Sequence, residues 1–164
     1  MFGLSNIKIV FVSDMIAGVN IEFNNVSVSS DNILGEENNG ASLLELVLDR
    51  AQIAISAEML GNASQAFDLT LQYLKERKQF GRLIGSFQAV KHMCAEMAAD
   101  LEPCHSMIWH AAHCQDNVPE EARLMACQTK AHISEVGKQV SKTATEVHGG
   151  MGFTDELGLH YWFK

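Results

Sequence analysis

The chain has 164 residues, 47% of them hydrophobic and 20% charged, with a formal net charge of −8. That length allows one domain with a real core, and only two prolines argue against a loop-rich or disordered chain. Twenty acids against twelve bases disfavour general binding to nucleic acid or to an anionic membrane surface. No apolar run approaches the ~20 residues of a membrane span.

Taken in order, residues 1–35 read as strands. Ile7, Ile9 and Phe11 alternate with Lys8, Val10 and Val12, and Val19, Ile21 and Phe23 alternate with Asn20, Glu22 and Asn24. Val26 and Val28 extend the pattern past a turn at Asn24-Asn25, and Asn32-Ile33-Leu34-Gly35 closes the segment. Two or three strands cannot bury both faces alone. A second copy completes the sheet, or this is the tail of a larger one.

Beyond Gly40 the pattern is helical. Ser42-Leu43-Leu44-Glu45 has capping-box spacing, and the helix it opens is expected to run to Lys78, about 50 Å at ~1.5 Å per residue. Its apolar residues Leu46, Val47, Leu48, Ile53, Ile55, Met59 and Leu60 surround one polar stripe of Glu45, Asp49, Gln52 and Ser56. Such a stripe lines a cavity or faces water, and the cavity is the expectation. Gly81, Arg82 and Gly85 make a turn, with Ser86 as the next N-cap. Helix two is expected over 87–114, kinked or broken at Pro103. Asn117-Val118-Pro119-Glu120-Glu121 supplies a cap, a first-turn proline and acids for helix three, which stops at Gly149-Gly150. A fourth helix is expected from Thr154 to Lys164. The fold class is mainly α: a long-helix antiparallel four-helix bundle behind a short β remnant, divided as residues 1–35 and 36–164.

Cys94, Cys104, Cys114 and Cys127 form no C-x-x-C pair and lie in helical apolar patterns, so buried reduced thiols are expected. Reduced cysteines and no cleavage signal point to the cytoplasm or, in a eukaryote, the mitochondrial matrix. His105, His110, His113 and His132 are read as scattered polar positions, not metal ligands. Glu102-Pro103-Cys104-His105 has the Glu-x-x-His spacing of a di-iron bundle, but such sites need a second copy.

Two places carry chemistry. Lys75, Arg77, Lys78, Arg82 and Lys91 oppose one acid, Glu76, a concentration of positive charge in an acidic chain. Within it Arg77-Lys78-Gln79-Phe80-Gly81 and Ser86-Phe87-Gln88-Ala89-Val90 combine cations, amides and aromatic rings. The second place is His148-Gly149-Gly150-Met151-Gly152-Phe153, where bare backbone lies between helical stretches. Cations and amides at one place and approachable backbone N–H groups at the other suit a phosphate-bearing cofactor.

The segment Lys75–Val90 resembles the signature of the acyl-CoA dehydrogenase family, flavoproteins that oxidise the α,β carbon–carbon bond of acyl-CoA thioesters. Gly18-Val19-Asn20-Ile21-Glu22-Phe23-Asn24-Asn25-Val26 and Ile33-Leu34-Gly35 look like the end of its middle β-domain. Val147-His148-Gly149-Gly150-Met151-Gly152-Phe153-Thr154 looks like the Gly-Gly turn of its C-terminal helical domain. The resemblance runs from about residue 15 to the end, with the motifs in order.

It implies FAD as cofactor, bound across a subunit interface of a homo-oligomer, dimer or tetramer, with acyl-CoA as substrate of the full protein. Arg77 would pair with the pyrophosphate, Gln79 and Gln88 would hydrogen-bond the cofactor, and Phe80 would pack beside it. Glu146, Gly149 and Gly150 match a neighbouring cofactor contact, although Glu146 stands where a neutral glutamine is expected. Asp49 aligns near the CoA thioester site. No catalytic residue is carried over: Ala51 occupies one of the family's two base positions, and the other falls beyond Lys164. The resemblance therefore implies a C-terminal piece or remnant of an oxidoreductase, inactive alone. The rival from another class is a non-catalytic helical assembly module.

Overall fold

The computed structural model describes residues 7–11 and 19–162; expectations placed on Val12, Gly18 and Lys164 lie outside them. The chain divides into two compact units, residues 1–43 and 44–164. In the first, β1 (Ile7–Phe11) and β2 (Val19–Phe23) pair antiparallel with Ile7 opposite Phe23 and Phe11 opposite Val19. Val26 and Val28 do not extend the sheet. Asn25 takes φ 53°, a left-handed step that carries the chain off the strand line.

Helix α1 (Gly40–Glu76) starts two residues before the expected cap. Ser42 does not cap it: its hydroxyl donates to the Asn39 carbonyl and side-chain oxygen, both at 3.0 Å. Glu45, the expected capping-box partner, instead meets Arg123 at 2.6 Å.

In the second unit the buried face of α1 is Asp49, Ile53, Ser56, Leu60, Ala63, Ala66, Thr70 and Leu74, a three-and-four spacing that turns one stripe inward. Two polar members are buried at no cost in unmet hydrogen bonds. Ser56 and Thr70 donate to the carbonyls of Gln52 and Ala66 one turn back, at 2.6 and 2.7 Å. Of the polar stripe, Asp49 and Ser56 belong to the packed face, Gln52 is half-buried and Glu45 is exposed, and Asp49 adds to the field that favours charged Arg123. Leu46, Val47, Leu48 and Ile55 are the exposed residues.

Helices α2 (Gln88–Asn117) and α3 (Pro119–His148) form an antiparallel hairpin about Val118. Thr129 donates to the Met107 carbonyl and Gln115 to that of Ala122 across the pair. The core joins Leu60 and Leu74 of α1, Met97 and Leu101 of α2, Ile133 and Val140 of α3, and Leu159. Three sequence expectations are corrected here. Ser86 lies in a 3-10 turn, Ile84–Ser86, and its hydroxyl donates to Leu83; Phe87 is the N-cap. Asn117 ends α2, and Val118 caps α3 ahead of Pro119. Among the described residues no fourth α-helix follows Thr154: Asp155–Leu157 and Leu159–Tyr161 are separate 3-10 turns, parted by Gly158 at φ 67°. The mainly α class and the long helices stand.

Cys94, Cys104 and Cys114 are buried free thiols, whereas Cys127 is exposed, one position past buried Ala126 on the outward side of α3. Pro103 does not break α2, which runs unbroken through it. Its ring denies the Ala99 carbonyl an amide partner, and the exposed position lets water replace that bond. Replacing Pro103 with alanine is therefore expected to raise stability by about 1–3 kcal/mol, read as a higher urea midpoint at unchanged slope.

Candidate functional site

A short hairpin leaves the end of α1. Strands β3 (Lys78–Gln79) and β4 (Arg82–Leu83) pair antiparallel, joined by Phe80 and Gly81 at φ 55° and 79°. Two positive φ values define the type I′ turn that matches strand twist. The Ile84 amide donates back to the Arg77 carbonyl at 2.9 Å, closing the loop. A Cβ at Gly85 would come 2.9 Å from the Leu74 carbonyl, so only glycine lets the turn sit this close to α1.

Phe80 is 90% exposed in a backbone region that bulky residues avoid. Phe87 partners both arms of the hairpin. Its ring meets Phe80 edge-on at 6.2 Å and carries the Arg82 guanidinium 3.8 Å above its centroid.

The end of α3 approaches the same place. Tyr73 of α1 stacks on His148 at 4.4 Å and 25°. A carbonyl can only accept, so His148 Nδ1 carries a proton and donates to Ala144 at 2.7 Å. Burial pushes the His148 pKa down, partly opposed by that bond. Gly149 follows at φ 59°, ψ −138°, a conformation that side chains resist. A Cβ at Gly150 would meet nothing within 4 Å.

Together these pieces enclose an open groove of about 580 Å³. Arg77, Gln79, Phe80 and Phe87 line one side, and His148, Gly149 and Gly150 the other. The two motifs separated by some seventy positions in sequence thus share one groove within a single chain. Tyr73 and His148 were not singled out as site residues; their signal was position, one turn before Arg77 and immediately before Gly149.

The remaining candidates lie elsewhere. Gln88 opens α2 with its amide 3.2 Å from His92 and does not line the groove. Glu146 lines a different cavity of about 890 Å³, between Met59, Asn62 and Ala63 of α1 and Lys138, Ser141 and Lys142 of α3. Two helical positions before His148, it points to another side of α3. Asp49 is buried on α1 and lines neither cavity. Ala51 is exposed. None of the described helices is long and apolar enough to cross a membrane.

Fold and groove together define a helical domain that gathers a guanidinium, aromatic rings and bare backbone around one groove. The family description "Acyl-CoA dehydrogenase, C-terminal domain" matches residues 38–164, and the chain belongs to the acyl-CoA dehydrogenase family. It is similar to caffeyl-CoA reductase-Etf complex subunit CarC of Acetobacterium woodii, at 36% identity over 85% of this chain and 36% of that protein. The short/branched chain specific acyl-CoA dehydrogenase of Bos taurus mitochondria is also 36% identical, over 88% of this chain and 33% of its own length. A structure of PigA with FAD and proline superposes with a TM-score of 0.82 at 30% identity, over 87% of this chain and 37% of that one. The chain spans about a third of the length of the curated relatives it matches.

The two glycines make separable demands. Gly149→Ala is expected to destabilise the fold by about 1–3 kcal/mol because of its backbone conformation. Gly150→Ala is expected to stay within about 0.5 kcal/mol of the parent; urea melts of the two variants check both. His148 sets a pH dependence. Its folded-state pKa lies below the usual 6.5, so the unfolded chain binds the extra proton. The stability is present above about pH 6.5 and is lost as pH falls through the lowered value. Urea midpoints between pH 7.5 and 5 should fall, and His148→Gln should flatten that dependence.

Proposed function

We propose that this chain serves the FAD-dependent α,β-dehydrogenation of acyl-CoA thioesters by holding the diphosphate side of the cofactor. The observation that supports this reading is the shared groove of Arg77 and Gly149-Gly150. Arg77 brings a planar donor fork suited to two phosphate oxygens at once, which a lysine cannot reproduce. Gly150 leaves its side of the groove free of a side chain, so backbone can approach an anion. Phe80 offers a nearly fully exposed ring face to a flat heterocycle or ribose, and the Gln79 amide supplies a donor and an acceptor at the rim. Phe87 keeps the hairpin in place through Phe80 and Arg82. Gln88 and Glu146 take part only where a second polypeptide brings a cofactor edge to them.

The flavin, when bound, supplies the hydride acceptor for oxidation at the β-carbon. Removal of the α-proton calls for a carboxylate. Ala51 offers none, so the base comes from elsewhere in the working enzyme. Asp49, two residues earlier on α1, remains the candidate for the CoA thioester side.

The cofactor is carried mainly by a second copy, and the working unit is a homo-oligomer. The Acetobacterium woodii relative is named a reductase and the bovine one a dehydrogenase, so the direction of electron flow stays with the electron partner.

A second reading is a helical assembly module without cofactor. Leu44, Val47, Leu48, Ala51 and Ile55 share one exposed side of α1, at the spacing of a packing ridge. Ala51 at the expected base position suits such a ridge.

FAD titrated into the chain, followed by flavin fluorescence, separates the two. Under the proposal Arg77→Ala weakens binding roughly 10- to 100-fold, the worth of one or two charge-assisted hydrogen bonds, and Gly150→Ala weakens it without loss of stability. Equal affinity for parent, Arg77→Ala and Gly150→Ala would overturn the assignment. No affinity in any of them would favour the assembly module.

A further inference from the structure

We propose that His110, Cys114 and Glu121 form a site for a thiophilic divalent cation of the zinc class, set across the turn between α2 and α3. His110 and Cys114 are four residues apart on α2 and face the same way, with Nε2 3.8 Å from Sγ. Glu121 comes from the first turn of α3. The imidazole nitrogen, thiol sulfur and carboxylate oxygen all lie within 4.8 Å of one another. Around a tetrahedral zinc the ligand atoms stand roughly 3.3–3.8 Å apart, given bonds of about 2.0–2.3 Å. The gap is about an ångström. His110 and Glu121 are exposed and free to close it, while Cys114 is fully buried and fixed below them.

The turn that carries these groups is already ordered. The Val118 amide donates to the Cys114 carbonyl at 3.1 Å, the Glu121 amide to Val118 at 3.0 Å, and the Gln115 side chain to Ala122 at 3.0 Å. Binding therefore requires little ordering of backbone.

The donor set selects the ion. A thiolate and an imidazole favour zinc-class ions over magnesium and calcium, which take oxygen ligands. Burial, then the charges of Glu121 and Glu120, push the Cys114 thiol pKa up. The same negative charge attracts a cation, as does the negative end of the α2 dipole. On binding, the S–H proton leaves, a sulfur–metal bond forms, and one proton is released per ion. Neutral His110 and ionised Glu121 supply the other two lone pairs, and water takes the fourth position. The ion then staples α2 to α3 at the closed, turn end of their hairpin.

Histidine scatter along a bundle gave no sign of this site, because its third member lies across a turn from the other two. Glu102 and His105, the di-iron spacing, are not part of it.

The test is a Co2+ titration of the folded chain in a Cys127→Ser background, which removes the exposed thiol. One Co2+ per chain should produce a thiolate-to-metal charge-transfer band, and Zn2+ should displace it. Cys114→Ala should abolish the band. His110→Ala and Glu121→Gln, both surface changes that leave the fold intact, should each weaken binding by about 10-fold or more. No band in the parent, a band surviving Cys114→Ala, or one indifferent to His110→Ala and Glu121→Gln would overturn the site.

Discussion

The stacking of Tyr73 on His148 joins the end of α1 to the end of α3. The hairpin that carries Arg77 follows one of these residues, and the Gly149-Gly150 turn follows the other. Burial disfavours charge on the imidazole, and the Ala144 carbonyl accepts the Nδ1 proton and fixes the ring. Without that contact a cation and a bare backbone turn would be two separate surface features. With it they face one groove.

Around this contact the chain tolerates local strain. Phe80 adopts a left-handed backbone that costs of order 1 kcal/mol or more, and Gly149 takes one that suits glycine alone. Both lie on the groove. Phe87 braces Phe80 and Arg82, and Gly85 fits the turn against the Leu74 carbonyl. Strain that persists only because its surroundings enforce it is a mark of a site built to present groups, not merely to connect helices.

The opposite end of the α2–α3 hairpin shows how buried polar groups are handled away from the groove. Cys114 is as deeply buried as Ala111 in the same helix, yet it lies beneath an imidazole and beside acids. Where an uncharged residue would serve packing, a thiol flanked by a histidine and a carboxylate has a coordination chemistry that a methyl group lacks.

The amino-acid sequence by itself determined the mainly α class, the three long helices and the residues offering charge and bare backbone at the groove. Helical periodicity, a first-turn proline with acids at α3, and glycine pairs are local signals, written within a few positions of where they act. Element ends were less legible: α1 begins at Gly40, ahead of the expected cap Ser42, and Phe87 and Val118 cap α2 and α3 without a side-chain hydrogen bond, in place of the expected Ser86 and Asn117. Tertiary packing alone decided that Glu45 turns to Arg123, that Asp49 and Ser56 of the polar stripe of α1 are buried, and that the last segment breaks into 3-10 turns. It also parted Glu146 from Gly149, for a helix of 3.6 residues per turn sends near neighbours to different sides. Proximity between residues far apart in the chain depends on how three helices pack, which no short window of sequence contains.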